Sequence, residues 1–182
     1  SSCGVTPPFL PASRTMAHLI MENNLDINTP RGQESLRYEK IMLEKIAEKR
    51  NIQIVETDKK YDAKCDGIVI KNNKIVGVFE SKCRNMTQEQ LFNFGSWLVT
   101  YDKIIHGQSL SEMLRVGFFG FLYLIPDNSI FMWHITDEKG RFKYGFKSME
   151  TETQKTINGG TVVRKNAFLP VSKSILIYDG NN

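Results

Sequence analysis

The sequence predicts an α/β fold in which a central mixed β-sheet is flanked by helices. Three observations carry this expectation. Residues 31–50 space their apolar side chains with the period of a helix. Residues 65–82 hold two apolar runs joined by a short polar turn. Residues 116–136 hold two more, on either side of Pro126-Asp127-Asn128. At 182 residues the chain has the length of one ordinary domain. Such a chain buries roughly 70 % of its unfolded surface and needs neither disulfide nor structural metal to fold. We read residues 1–182 as a single domain, with an arm and short helix over 1–30, a core over 31–135 and a C-terminal extension over 136–182.

The first fourteen residues, with Gly4, Pro7, Pro8 and Pro11, read as an irregular arm, and 15–24 as a short helix. Thr29 and Pro30 then supply an N-cap and a first helical residue for 31–50. On a wheel of 100° per residue, Leu36, Met42, Leu43, Ile46 and Ala47 share one arc. Glu39 falls inside that arc and Glu34 nearer its edge. An acid within an apolar stripe is costly to bury unless paired or bound to a cation. Ile52–Val55 reads as a strand. CDGIVI (65–70) and KIVGVFESK (74–82) read as an antiparallel hairpin turning at Lys71-Asn72-Asn73. Residues 87–104 read as one helix, with Thr87 as N-cap and Gln90 three residues on, and 109–115 as a second, short one. Residues 116–125 and 129–136 form a strand pair. Further strands are expected at 141–146 and 174–178, with a short run at 162–164 and a loop at Asn158-Gly159-Gly160.

Composition narrows the function classes. Hydrophobic residues at 41 % and charged residues at 24 % exclude a disordered tail and a fibre. The longest apolar run, Val116 to Ile125, is about half a membrane span, so no membrane is expected as partner. The formal net charge of +4 tolerates a polyanion without demanding one. Cysteines stand at 3, 65 and 83, an odd number with no CxxC spacing. That pattern, and an N-terminus without a basic-then-apolar signal segment, point to a reduced, cytoplasmic or intracellular protein.

The segment that carries chemistry is Asp66 followed, after thirteen intervening residues, by Glu80-Ser81-Lys82. Strand alternation puts Glu80 and Lys82 on one face. Folding the hairpin brings Asp66 opposite Phe79 or Glu80. Two carboxylates then repel at one strand end, and the conflict is relieved by a proton or a cation. Asp and Glu oxygens suit Mg²⁺ or Mn²⁺. Lys82 beside them can orient a water or stabilise a phosphate in flight. The competing reading is a solvated hairpin with three scattered charges.

These residues resemble the PD-(D/E)xK nuclease superfamily, in which one acid ends a strand and E-x-K follows in the next. The resemblance covers roughly residues 31–135, with a preceding acid-bearing helix and a following helix in similar order; Cys65 stands where the pattern's proline would be. It implies a restriction-endonuclease-like core and metal-dependent hydrolysis of phosphodiester bonds, normally in DNA, using Mg²⁺ or Mn²⁺. It implies Asp66 and Glu80 as metal ligands and Lys82 as the water-activating residue. Glu39, by its burial phase, or Glu34, which follows Arg31-Gly32, would complete the site from the helix. Gln88 and Gln90 are candidates for the glutamine that some branches place after the lysine. Lys103 and Tyr101 on the following helix are candidate phosphate contacts.

The expected activity is therefore that of a DNA endonuclease attacking phosphorus with metal-activated water, and a homodimer is compatible with it. An RNA endonuclease of the cap-snatching kind, for which His18 would be an extra ligand, or a Holliday-junction resolvase is the alternative among enzymes. A non-catalytic nucleic-acid-binding module is the alternative outside them. Lys147, Lys155, Arg164, Lys165 and Lys173 make the last third basic, either as a backbone-tracking surface or as a solvated face. His106 and His134 read as structural, Phe118, Phe119, Phe121, Phe131 and Trp133 as core, and Cys65 and Cys83 as packing thiols.

Overall fold

A computed structural model describes residues 29–58, 63–154 and 160–181. The expected helix over 15–24 and His18 lie outside the described residues, as does most of the loop at 158–160.

Helix α1 spans Pro30–Arg50. Thr29 Oγ1 accepts from the Gly32 N–H at 3.0 Å, and Pro30 occupies the first turn. Asn51 ends the helix in the left-handed conformation, with φ 51°. Met42, Leu43 and Ile46 are buried, the stripe that the wheel predicts. Strands β1 (Gln53–Glu56), β2 (Gly67–Lys71) and β3 (Lys74–Arg84) follow. The β2–β3 turn has both Asn72 and Asn73 at positive φ, 52° and 60°. That is the mirror-image turn whose twist matches a hairpin, and asparagine tolerates it better than most residues.

The stretch 87–104 is corrected by the structure. It is not one helix but α2 (Gln88–Phe94), strand β4 (Ser96–Thr100) and the start of α3 (Tyr101–Leu114), which absorbs the short helix expected at 109–115. The Thr87 capping box forms as expected. Gly95 then stops α2 in the left-handed region, with φ 79°. Beyond it, Trp97 and Val99 are buried while Ser96, Leu98 and Thr100 are only partly so, a strand's period of two.

Strands β5 (Gly117–Leu124) and β6 (Ser129–Thr136) fall where the apolar runs place them. The strand expected at 141–146 reduces to a bridge between Thr136 and Phe142. In its place come β7 (Lys147–Gln154) and β8 (Thr161–Pro170), the latter much longer than the run expected at 162–164. A 3₁₀ turn, Val171–Lys173, leads into β9 (Ser174–Asp179).

Six strands form a mixed sheet in the order β1-β2-β3-β5-β6-β9, with β3 and β5 parallel and the other pairs antiparallel. A second, three-stranded sheet runs β4-β8-β7. The large sheet is covered on both faces. Phe79, Phe121 and Tyr123 pack with Met42, Leu43 and Ile46 of α1. Val78, Phe118, Leu122 and Trp133 pack with Leu91 of α2, Trp97 and Val99 of β4, Ile104 of α3 and Leu169 of β8. Consecutive residues of β3 and β5 thus serve opposite cores, the composition of a strand buried on both faces. No helix among the described residues is long and apolar enough to cross a membrane.

Candidate active site

The site is set by a mismatch of strand lengths. The β2–β3 ladder ends at the pair Gly67–Phe79, whereas β3 stays paired with β5 as far as Arg84–Leu124. Asp66 closes the ladder with its N–H, which donates to Phe79 O at 3.0 Å. Its side chain then takes the place that the next strand residue would have held: Asp66 Oδ2 accepts from the Ser81 N–H at 2.7 Å. Ser81 Oγ lies 3.3 Å from the same oxygen and 3.2 Å from Glu39 Oε1 of α1. One hydroxyl proton serves either carboxylate, so Ser81 links Glu39 to Asp66.

Glu80 and Lys82 point to the other face of the sheet, the side of α3 and the small sheet, as alternation from Val78 requires. Glu80 is 1 % exposed. Neither of its carboxylate oxygens has a hydrogen-bond partner among the described residues. Lys82 Nζ stands 3.9 Å from Glu80 Oε1, too far to be a hydrogen bond, and its side chain is half exposed. Burial first, and the negative charge of Asp66 second, raise the Glu80 carboxyl from 4.5 to about 7, against the opposing pull of Lys82 and Lys103. A buried carboxylate with no donor and an acid for a neighbour is costly for stability alone, and strongly perturbed acids of this kind cluster at functional sites.

The sequence-derived residues divide accordingly. Asp66, Glu80 and Lys82 converge. Glu39 joins them through Ser81, whereas Glu34 stays on the surface, 3.9 Å from Arg37. Lys103 faces the site from α3. Its Nζ donates to Ala63 O at 3.5 Å, and its charge acts on both Glu80 and Cys65. Gln90 is engaged in capping, its Oε1 accepting from the Thr87 N–H at 2.9 Å, and the Gln88 N–H donates to Asp127 Oδ2. Neither Cys65 nor Cys83 forms a disulfide among the described residues, and burial pushes the Cys65 thiol up.

The pair Asp66 and Glu80 is a hard-oxygen donor set, and their mutual repulsion is relieved either by a proton shared between the two carboxyls or by a cation. Among the described residues no group of three or more His, Cys, Asp and Glu side chains is gathered as metal ligands. A divalent cation here would therefore complete its sphere with water and substrate oxygens, as Mg²⁺ commonly does.

Along the open edge of β3 runs a cleft of about 860 Å³. Glu39, Ser81 and Lys82 line it, whereas Asp66 and Glu80 do not. Arg31 of α1, Arg84 of β3 and Arg164 of β8 also line it. Four cations thus face one acid. The sequence reading missed Ser81, whose only signal is a small hydroxyl between the two motif residues, and Arg31 and Arg84. It reached Arg164 only as part of a basic stretch. Compared with models of known families, with curated proteins and with solved structures, the chain matches none.

Proposed function

We propose that this protein is a Mg²⁺- or Mn²⁺-dependent nuclease that hydrolyses phosphodiester bonds in DNA, built on a restriction-endonuclease-like core. The observation that carries the reading is the Glu80 carboxylate, buried between Asp66 and Lys82, the lysine itself lining a cation-rich cleft. The order of elements supports it as well: an acid-bearing helix, a motif hairpin, a following helix, and a strand parallel to β3.

Asp66 and Glu80 would hold the cation. Bound there, it supplies a water of lowered pKa and neutralises charge on the phosphate. Asp66 is fixed for this role by the Ser81 N–H, which sets the direction of its carboxylate. Lys82 donates to the attacking water or to a non-bridging phosphate oxygen and stabilises the charge that grows there. Lys103, on the same side of the sheet, adds a second positive charge. The arginines along the cleft draw in and align the polyanion.

A plasmid-cleavage assay with and without Mg²⁺, on wild type, Asp66→Asn and Lys82→Ala, tests the proposal. Metal-dependent nicking or linearisation by the wild type alone supports it. Equal behaviour of all three proteins on plasmid and on single-stranded DNA alike overturns it. Linear duplex, single-stranded, junction and RNA substrates in the same assay separate a DNA endonuclease from the other enzymes considered.

A further inference from the structure

The walls of the cleft are unlike its rim. Met86 and Leu98, both partly exposed, form an apolar lining, whereas Arg31, Arg84 and Arg164 bring positive charge around it. Phe94 stands at its edge, 73 % exposed. No aromatic pair among the described residues includes Phe94, although Phe92 two residues earlier packs edge-on against Phe131. Gly95, held at φ 79°, breaks α2 immediately after Phe94 and fixes where the ring projects. Trp97, on the wall, has an indole N–H with no acceptor among the described residues. A flat apolar ring, an apolar wall and surrounding guanidinium groups are the pairing of features that an unstacked base and its phosphates require. Stacked, paired bases offer that ring no face, and a double helix presents phosphates outward and base edges only in its grooves.

We propose that the cleft is a binding site for single-stranded DNA, with an unpaired base stacked on Phe94 and its flanking phosphates on Arg31, Arg84 and Arg164. The proposal rests on the nuclease reading for what happens at the Lys82 end, and it deepens that reading by naming the form of the substrate. The strand enters beside Phe94 and follows the open edge of β3 toward Ser81 and Lys82. The substrate is then a single strand, a frayed end or a locally melted duplex.

The test is binding, in EDTA so that no cleavage intervenes. Fluorescence anisotropy compares a labelled single strand of about 12 nucleotides with its duplex. Heparin serves as a polyanion without bases. The single strand is expected to bind more tightly than the duplex. Phe94→Ala is expected to weaken the single strand by about 5- to 100-fold while leaving heparin unchanged. Phe94→Trp restores binding if stacking is the cause. Arg164→Glu weakens both ligands and flattens their salt dependence. Phe94 is exposed, so its variants keep their thermal stability. Duplex binding as tight as single-strand binding, or a Phe94→Ala variant with unchanged single-strand affinity, overturns the assignment whatever the plasmid assay shows. Selective single-strand binding by a protein that cuts nothing upholds this proposal and refutes the nuclease alone.

Discussion

Replacing Glu80 by glutamine removes a charge from the buried site while nearly conserving shape, and its effect on stability should depend on pH in a predictable way. In the metal-free protein the groups facing Glu80 are Asp66, which repels it, and Lys82 and Lys103, which attract it. Their sum with burial lifts the carboxyl to about 7 from its ordinary 4.5. A raised acid is a proton acceptor in the folded state. Below pH 4.5 both folded and unfolded chains hold the proton and the group costs nothing. Between 4.5 and 7 only the folded chain holds it, so stability falls as pH rises. Above 7 the full cost is present. At about 1.4 kcal/mol per tenfold change in proton affinity, that cost is about 3 kcal/mol. Glutamine does not titrate, so its own packing cost is the same at every pH and cancels from the comparison. The stability of Glu80→Gln relative to wild type should therefore improve by about 3 kcal/mol between pH 4.5 and pH 8. For a domain of this size that is about 6–12 °C in melting temperature. Urea titrations in EDTA at four or five pH values measure it. A difference between variant and wild type that stays flat across that range refutes the account of Glu80 as a charge held against its own solvation.

Other outcomes follow from the same geometry. Asp66→Ala should lose activity and also destabilise the fold by about 1–3 kcal/mol in urea unfolding at pH 5, because it strands the Ser81 N–H that Oδ2 holds at 2.7 Å. Asp66→Asn keeps an acceptor there, so it should lose activity with little loss of stability. Lys82→Ala removes the nearest cation from Glu80, 3.9 Å away, and should move the midpoint of the pH–stability curve above about 7 while abolishing cleavage. Gly107→Ala should cost about 1–3 kcal/mol by thermal or urea unfolding. A β-carbon there would lie 2.2–2.5 Å from three ring carbons of Phe118, whose buried ring has nowhere to go.

What the sequence makes legible is local. The caps of α1 are read from Thr29 and Pro30, the β2–β3 turn from two asparagines, and the convergence of Asp66, Glu80 and Lys82 from a hairpin and a period of two. The split of 87–104 is not local. Leu91, Phe94, Leu98 and Tyr101 keep a three-to-four spacing across Gly95, so a helical phase persists where the chain has already become strand. Ser96–Thr100 is a strand because it pairs with Asn166–Pro170, about seventy residues further on. The same holds for β7, whose sequence KSMETETQ has little apolar content; its extended form is fixed by eight consecutive pairings with β8. Strand propensity is weak where pairing, rather than the residue, supplies the stabilisation.

The cleft is the extreme case, since Arg31, Arg84, Phe94 and Arg164 come from four elements and no spacing relates them. One cause of their meeting is nevertheless in the sequence. The hairpin arms are unequal: the strand before Asn72-Asn73 begins at Gly67, whereas the one after runs to Arg84. Beyond Phe79 the longer arm has no β2 residue to pair with. An edge left so inside a sheet must be occupied or covered. Here the side chain of Asp66 occupies its first position, and the rest opens onto the cleft. The carboxylate that completes the sheet is thereby the one aimed at Ser81 and set beside Glu80. A β2 extended by two residues would pair Ser81 through the backbone and close the cleft with the same stroke, so the short arm makes site and entrance together.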